Sequence, residues 1–308
     1  MSAAAVNEDD TMLLCASCGI AGGDDITLKK CTGCYLVRYC SVKCQKEHRP
    51  KHKKECKKRV AELKDEILFK QPESSYLGDC PICCLPLPLD PEKYCLNTCC
   101  CKEICTGCSH ANKIREYKGQ LQQKCPFCRK PLPSTKEKSN EQLMKRIEAN
   151  DPVAICEMGT KCLGKGDYKA AFNYFTRAVA LGDVGAHFQL SWLYHYGQGV
   201  EKDEKKELHH AEQAAIGGDP NARHILGNIE NANGQYDRAV KHWIIAAKLG
   251  FGESLERVKE LYKAGIVSSK EDFAAALRGY QAAIAATKSP QREEAYEFLR
   301  QYNARKKK

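Results

Sequence analysis

The pattern of apolar and polar positions divides the chain into two stretches of different character. From about residue 150 onward, alanine-rich segments are punctuated by glycine, and related strings recur: Leu181-Gly182-Asp183, Gly217-Gly218-Asp219 and Leu249-Gly250-Phe251, 36 and 32 residues apart. A period of that size predicts stacked helical pairs rather than one globule. The boundaries carry matching chemistry. Gly218 suits the left-handed position after a helix, Asp219 can cap the next helix through its side chain, and Pro220 fits the first helical position, where no N–H is needed. Asp151-Pro152 repeats that start signal. Between these points AHFQLSWLYHYGQGVEKDEKKELHHAEQAAIGGD reads as helix, glycine-containing loop, helix.

Earlier in the chain helical periodicity is brief. Val60, Leu63, Ile67 and Leu68 recur at helical spacing and Pro72 with Gly78 closes the run, which predicts a short helix. The segment SHANKIREYKGQLQQK is polar enough for an exposed helix, and RKPLPSTKEKSN, rich in Pro, Ser and Lys, marks a linker. Residues 1–11 are small and acidic and are expected to be disordered.

Composition changes the picture at the N-terminal side. The chain has 308 residues, room for two or three domains, and 43% hydrophobic with 29% charged residues is ordinary folded composition. Of 20 cysteines, only Cys156 and Cys162 fall beyond Cys128. No secretory leader pattern and no long apolar run is evident, so an intracellular setting, cytoplasm and/or nucleus, with no membrane partner, is expected. In a reducing compartment, thiols at C-x2-C spacing are more often zinc ligands than disulfide partners.

The first cysteine block is Cys15, Cys18, Cys31, Cys34, Cys40, Cys44, His52 and Cys56. Its eight ligand types can fill two closed tetrahedral sites, which leaves no open position for catalysis. Some 42 residues bury too little apolar surface to fold alone, so the metal must supply the missing stability. The order and spacing resemble the MYND finger over residues 15–56. That resemblance implies interleaved sites, Cys15, Cys18, Cys40 and Cys44 on one ion and Cys31, Cys34, His52 and Cys56 on the other. It also implies a docking role toward proline-containing peptides.

The second block has Cys80-x2-Cys83, the cluster Cys99-Cys100-Cys101, Cys105-x2-Cys108 and Cys125-x2-Cys128. It is similar to an all-cysteine RING finger over residues 80–128, with DCPICC at its start and KCPFCRKPLP at its end. Cys99-x-Cys101 fits the usual RING interval, whereas TCCCKEIC resembles sequences in which the two adjacent cysteines ligate, and Cys99 with Cys100 is preferred. Crossed pairing would place Cys80, Cys83, Cys105 and Cys108 on one ion and Cys99, Cys100, Cys125 and Cys128 on the other. Cys84, Cys95 and the third member of the cluster then remain as buried fillers. The resemblance implies a ubiquitin-conjugating enzyme as partner, contacted by Ile82 and Pro126, with Arg129 where a cation meets the conjugated ubiquitin.

The helical half resembles Sel1-like repeats, a variant of the tetratricopeptide unit, through Ala186, Leu190, Tyr194, Gly197, Gly199, Val200, Asp203, Lys206, Ala214 and Ala215, although Ser191 and Glu207 depart from the pattern. Looser units flank it, with Met158, Gly159, Lys169 and Ala170 before and Ala222, Leu226, Gly227, Ala246 and Ala247 after. A last degenerate unit starts at Ser254, giving three to four repeats whose concave face would hold an unidentified partner. Trp192, Tyr194 and Trp243 are expected in the core, and His209-His210 in solvent.

The expected fold is therefore multidomain: two small zinc-stabilised modules with little regular structure, then an all-α Sel1/TPR-like solenoid. The expected segments are a disordered 1–11, a MYND-type finger over 12–58, a helical linker over 59–78, a RING-like finger over 79–133, a linker over 134–149 and repeats over 150–308. Four zinc ions are expected as the cofactors. Fifteen thiolates set against four divalent ions remove seven charges, so the formal net falls from +10 to +3. The basic run KCQKEHRPKHKKECKKR then permits weak, nonspecific nucleic-acid contact but is read first as a solvated helix face.

No nucleophile motif, phosphate-binding glycine loop or dinucleotide fingerprint appears, and no residue is assigned a catalytic role. Methylation is set aside, because MYND-bearing methyltransferases carry a large SET domain for which there is no room. Two functions remain: a RING-type E3 ubiquitin ligase, or ligase subunit, whose finger and repeats dock substrates, and a non-enzymatic scaffold or adaptor, as in transcriptional regulation.

Overall fold

The computed structural model describes residues 14–266 and 270–306. The expected disorder of 1–11 lies outside those residues. The chain divides after Lys70 into two compact units.

In the first unit a two-residue ribbon, β1 (Lys29–Lys30) against β2 (Arg38–Tyr39), precedes one long helix, α1 (Val42–Leu68). Ser41 caps that helix by accepting from the Cys44 N–H at 3.2 Å. The short helix expected from Val60, Leu63, Ile67 and Leu68 is the last third of α1 and no separate element. Of its apolar stripe only Leu68 is fully buried, while Val60 and Ile67 are exposed. The unit's core is otherwise made of cysteines and Tyr39, and so small a core cannot hold the fold by apolar burial alone.

The second unit begins with a hairpin, β3 (Tyr94–Asn97) against β4 (Lys102–Cys105), followed by α2 (Thr106–Lys118). Ten helices follow among the described residues: α3 (Lys136–Glu148), α4 (Pro152–Gly164), α5 (Tyr168–Ala180), α6 (Val184–Tyr196), α7 (Glu204–Ile216), α8 (Pro220–Ala232), α9 (Tyr236–Lys248), α10 (Gly252–Lys263), α11 (Lys270–Ala286) and α12 (Pro290–Lys306). They form an all-helical solenoid in which α4 packs on α5, α6 on α7 and α8 on α9. Asp151, Asp167, Asp183, Asp203 and Asp219 cap α4 to α8 in turn through side-chain oxygens, and Gly182, Gly218 and Gly250 hold left-handed turns between repeats.

Two expectations change here. The linker expected over 134–149 contains α3, capped by Thr135, with Leu143 and Ile147 buried on its inner face. The Pro- and Ser-rich composition marks only the turn before it. The second cysteine block is also not a module apart. Cys101 and Leu96 join Leu143, Ile147, Ile155 and Phe175 in one hydrophobic core, and α12 packs against α2. The repeats thus return to the second cysteine block at both ends.

Candidate metal centres

Each predicted ligand can be followed to its place. In the first unit the β1–β2 ribbon brings Cys31 and Cys34 beside α1, where His52 and Cys56, one turn apart, share a face. The donor atoms of Cys31, Cys34, His52 and Cys56 lie within 4.8 Å of one another, as do those of Cys15, Cys18, Cys40 and Cys44. In the second unit Cys80, Cys83, Cys105 and Cys108 form one such group and Cys99, Cys100, Cys125 and Cys128 the other. The chain crosses between groups in both units.

The spacing within the groups discriminates a metal cradle from packed thiols. A zinc–sulfur bond of about 2.3 Å places the corners of a regular tetrahedron about 3.8 Å apart. The Cys31–Cys56, Cys83–Cys105 and Cys100–Cys125 sulfurs are each 3.8 Å apart, Cys18–Cys40 is 3.6 Å and Cys40–Cys44 is 3.5 Å. Cys99–Cys128 is tighter at 3.3 Å, and Cys34 Sγ meets His52 Nε2 at 3.2 Å. Without a cation the sulfurs of one group do not ionise alike: Cys15, Cys31 and Cys80 are pulled down while others are pushed up. The Cys40 thiol is pushed up to about 12, first by its contact with Cys44 and then by Cys18, and burial pushes Cys100 up to about 12. A divalent cation reverses that penalty, because every ligating sulfur is then a thiolate. All four groups are complete, N/S-only donor sets of the closed kind that suits structural zinc.

Outer contacts orient the groups. His48 stacks on His52 at 5.7 Å and its Nδ1 lies 3.1 Å from the Tyr39 hydroxyl. The backbone N–H of Cys105 donates to Cys80 Sγ and that of Cys108 to Cys105 Sγ. One buried partner carries no motif signal: Arg292, 1% exposed, donates to Cys83 Sγ at 3.3 Å from a helix 209 residues away in sequence.

The spare thiols separate. Cys101 is buried in the shared core with a positive φ of 51°. Cys95 is half-buried, its thiol directed at the Ile104 carbonyl, whereas Cys84, expected as a filler, is exposed. That correction follows from Cys84 occupying the left-handed position of the turn after Cys83. Among the residues expected to meet a conjugating enzyme, Ile82 is 41% exposed, Pro126 is half-buried beside exposed Phe127, and exposed Arg129 donates to Asn112 Oδ1 at 3.2 Å. Asn112 in turn donates to the Lys124 carbonyl, so α2 holds the turn that carries Pro126. The helix is less exposed than expected: Asn112 and Glu116 are buried, with Glu116 accepting from the Lys124 N–H.

In the repeats Trp243 and Tyr194 are buried and Trp192 half-buried. His209 is exposed, but His210 is not simply solvated. It stacks on Tyr194 and approaches His187 Nδ1 at 2.9 Å, and burial pushes it down to about 4. A cavity of about 520 Å³ between the hairpin and the repeats is lined by Glu103, Glu157 and Asp183, and burial raises Glu103 to about 7. Among the described residues no helix is long and apolar enough to cross a membrane.

Comparison with known proteins places names on two of these parts. The family model of the MYND finger matches residues 15–56, and that of the Sel1 repeat matches 152–183, 184–219 and 227–251. The chain is 28% identical over 134 residues to the "Putative ERAD-associated E3 ubiquitin-protein ligase component" of Schizosaccharomyces pombe, 42% of this chain and 18% of that protein. It is 29% identical over 86 residues to "Chitin synthase regulatory factor 4" of the same yeast, 28% of this chain and 14% of the other. The chain therefore spans less than a fifth of either relative. Among solved structures, a Sel1 repeat protein from Oxalobacter formigenes shares 28% identity at a TM-score of 0.43, over 50% of this chain and 66% of that one. The antigen c5321 from uropathogenic Escherichia coli, of SLR fold, shares 22% identity at a TM-score of 0.39, over 55% and 37%.

Proposed function

We propose that this chain, which carries a MYND finger and a run of Sel1 repeats, is a zinc-dependent protein-interaction protein whose second finger works as a RING-type ubiquitin ligase or ligase subunit. Cys15, Cys18, Cys40 and Cys44, then Cys31, Cys34, His52 and Cys56, would hold two ions in the first finger. Cys80, Cys83, Cys105 and Cys108, then Cys99, Cys100, Cys125 and Cys128, would hold two in the second. Pure, chelator-washed protein is expected to contain four zinc ions by elemental analysis, and two or fewer would remove the second finger from the scheme.

The observation that carries the ligase reading is the crossed pairing in the second finger, which leaves the non-ligand Ile82 in solvent between two ligating cysteines. An apolar side chain held out from a rigid, metal-closed turn is a ready anchor for a partner. The yeast relative whose name describes a ligase component supports the same reading. Such a finger makes no covalent intermediate. It would hold a thioester-linked ubiquitin in a reactive pose, so its contribution is orientation. The MYND finger would take proline-containing peptides and the repeats a further protein, together selecting what is brought to the conjugating enzyme.

The test is discharge of preloaded ubiquitin to free lysine with a panel of conjugating enzymes. Ile82→Ala is expected to weaken stimulation while zinc content stays unchanged. Arg129→Ala is expected to slow discharge roughly tenfold, about 1.4 kcal/mol of transition-state stabilisation. A wild-type protein that holds its full zinc yet stimulates none of the enzymes would leave the docking role and end the ligase role.

A further inference from the structure

We propose that Arg292, near the start of α12, is an outer-sphere partner of the metal that Cys80, Cys83, Cys105 and Cys108 would hold, so that loading of that centre and docking of the C-terminal helix strengthen each other. The proposal rests on the zinc reading above, and it concerns residues that no motif of the finger includes.

The starting point is a buried cation without a carboxylate. Arg292 is 1% exposed, yet its guanidinium donates to three carbonyl oxygens and one sulfur: Pro86 O at 2.7 Å, Thr287 O at 2.8 Å, Leu85 O at 3.1 Å and Cys83 Sγ at 3.3 Å. Taking a guanidinium out of water is strongly unfavourable unless a counter-charge lies close. Neutral thiols supply none. Four thiolates on one divalent ion carry two net negative charges, and Cys83 Sγ would be one of those sulfurs. The three carbonyls accept from the guanidinium of Arg292, and among the described groups it touches only a metal-loaded cluster would supply a counter-charge. The fork of the guanidinium also matters, since a lysine ammonium could not span the Cys83–Pro86 turn and the Thr287 carbonyl together.

The helix crossing is shaped for this contact. Gly107 of α2 immediately precedes the ligand Cys108, and a Cβ placed there would stand 2.8 Å from Arg292 Cγ and 2.9 Å from its Cα. Further along, Ala295 is fully buried, Lys93 Nζ lies over the Tyr296 ring at 5.2 Å, and His110 meets Phe298 with ring centroids 4.6 Å apart. One helix therefore reads the metal turn at its start and the metal-bearing helix along its length. Any group that binds the loaded cluster better than the empty one must raise metal affinity by the same factor by which metal favours its docking.

The experiment uses the full chain loaded with zinc and follows transfer of the ions to a chromophoric chelator, with hydrogen exchange measured on the loaded protein. In Arg292→Gln the ions of the second finger are expected to transfer about 10–100-fold faster than in wild type, with the two ions of the first finger unchanged. Arg292→Lys, which keeps the charge and loses the fork, should fall between. Exchange over residues 290–302 should rise in the glutamine variant, and also in wild type once zinc is withdrawn, while β3 and β4 of the loaded variant stay protected. Gly107→Ala, which alters no charge, should lift α12 by contact alone and speed transfer as well. Four ions in wild type with unchanged transfer in Arg292→Gln would overturn the coupling and leave the zinc reading standing, as would open α12 exchange in Gly107→Ala at a wild-type transfer rate. Two ions in wild type, both in the first finger, would overturn the zinc reading of the second finger and this proposal with it.

Discussion

Cys34→Ala is expected to abolish the fold of the first finger and to leave the helical signal of the repeats almost untouched. Cys34 is 1% exposed and belongs to a cluster whose buried members are cysteines and one tyrosine. A structural zinc contributes roughly 10–16 kcal/mol to a small finger at neutral pH, far more than the apolar surface available here. The two sites interleave, so the loss should not stop at one ion: Cys31 sits three residues from Cys34 in one group, while Cys40 and Cys44 of the other group follow along the same ribbon and helix. Zinc content should fall from four to two, and amide protection over residues 14–41 should vanish. Helices α3 to α12 belong to the other unit and should keep their protection and their far-ultraviolet signal. A variant with three bound ions and a protected ribbon would show that the first finger does not depend on this centre. Collapse of the repeats along with the finger would show that the two units are not independent.

Much of this organisation was legible because ligand chemistry and capping chemistry are local. Cys and His at short intervals mark the candidate donors, the family resemblance implies their crossed pairing, and all sixteen expected donors come together in the four groups. The Asp-Pro starts at Asp151 and Asp219 are written in consecutive residues, and both act as side-chain caps. What resisted reading depends on partners distant in sequence. Polarity hid α3, because its lysines and glutamates are mostly exposed and only Leu143 and Ile147 are buried. The choice among Cys99, Cys100 and Cys101 was open because spacing allows two answers. The structure groups Cys99 and Cys100 with Cys125 and Cys128, while Cys101, at a positive φ, is buried in the core shared with α4 and α5. Arg292 had no signal at all. Its role comes from a helix crossing that brings residues 83 and 292 together, and an arginine among glutamates reads as surface until that crossing is known.

Trp243→Ala is expected to destabilise the second unit by about 3–5 kcal/mol, the range for removing a large aromatic from a packed core. The indole is 2% exposed on α9, donates from Nε1 to the His224 carbonyl at 3.3 Å, and shares a cluster with Ala239 and Val258 that Ile244, Leu261 and Phe273 border. It fits only because residue 227 on α8 lacks a side chain: a Cβ there would stand 2.4 Å from the indole nitrogen. Truncation therefore opens a cavity between α8, α9, α10 and α11, and Gly227→Ala should disturb the same contact from the other side. Trp243→Phe should lose less, since a ring still fills part of the space and the hydrogen bond forgone is worth about 1 kcal/mol. In a stacked array each pair leans mainly on its neighbours, so the damage should be graded along the chain. Urea unfolding followed by hydrogen exchange is expected to show α8 to α11 opening first in the alanine variant, with α4 to α7 protected longer. Because α11 leads directly into α12, exchange over Pro290–Lys306 should rise with them. A loss below about 1 kcal/mol, or exchange rising equally in every helix from α4 onward, would mean that Trp243 is not the keystone of this end of the solenoid.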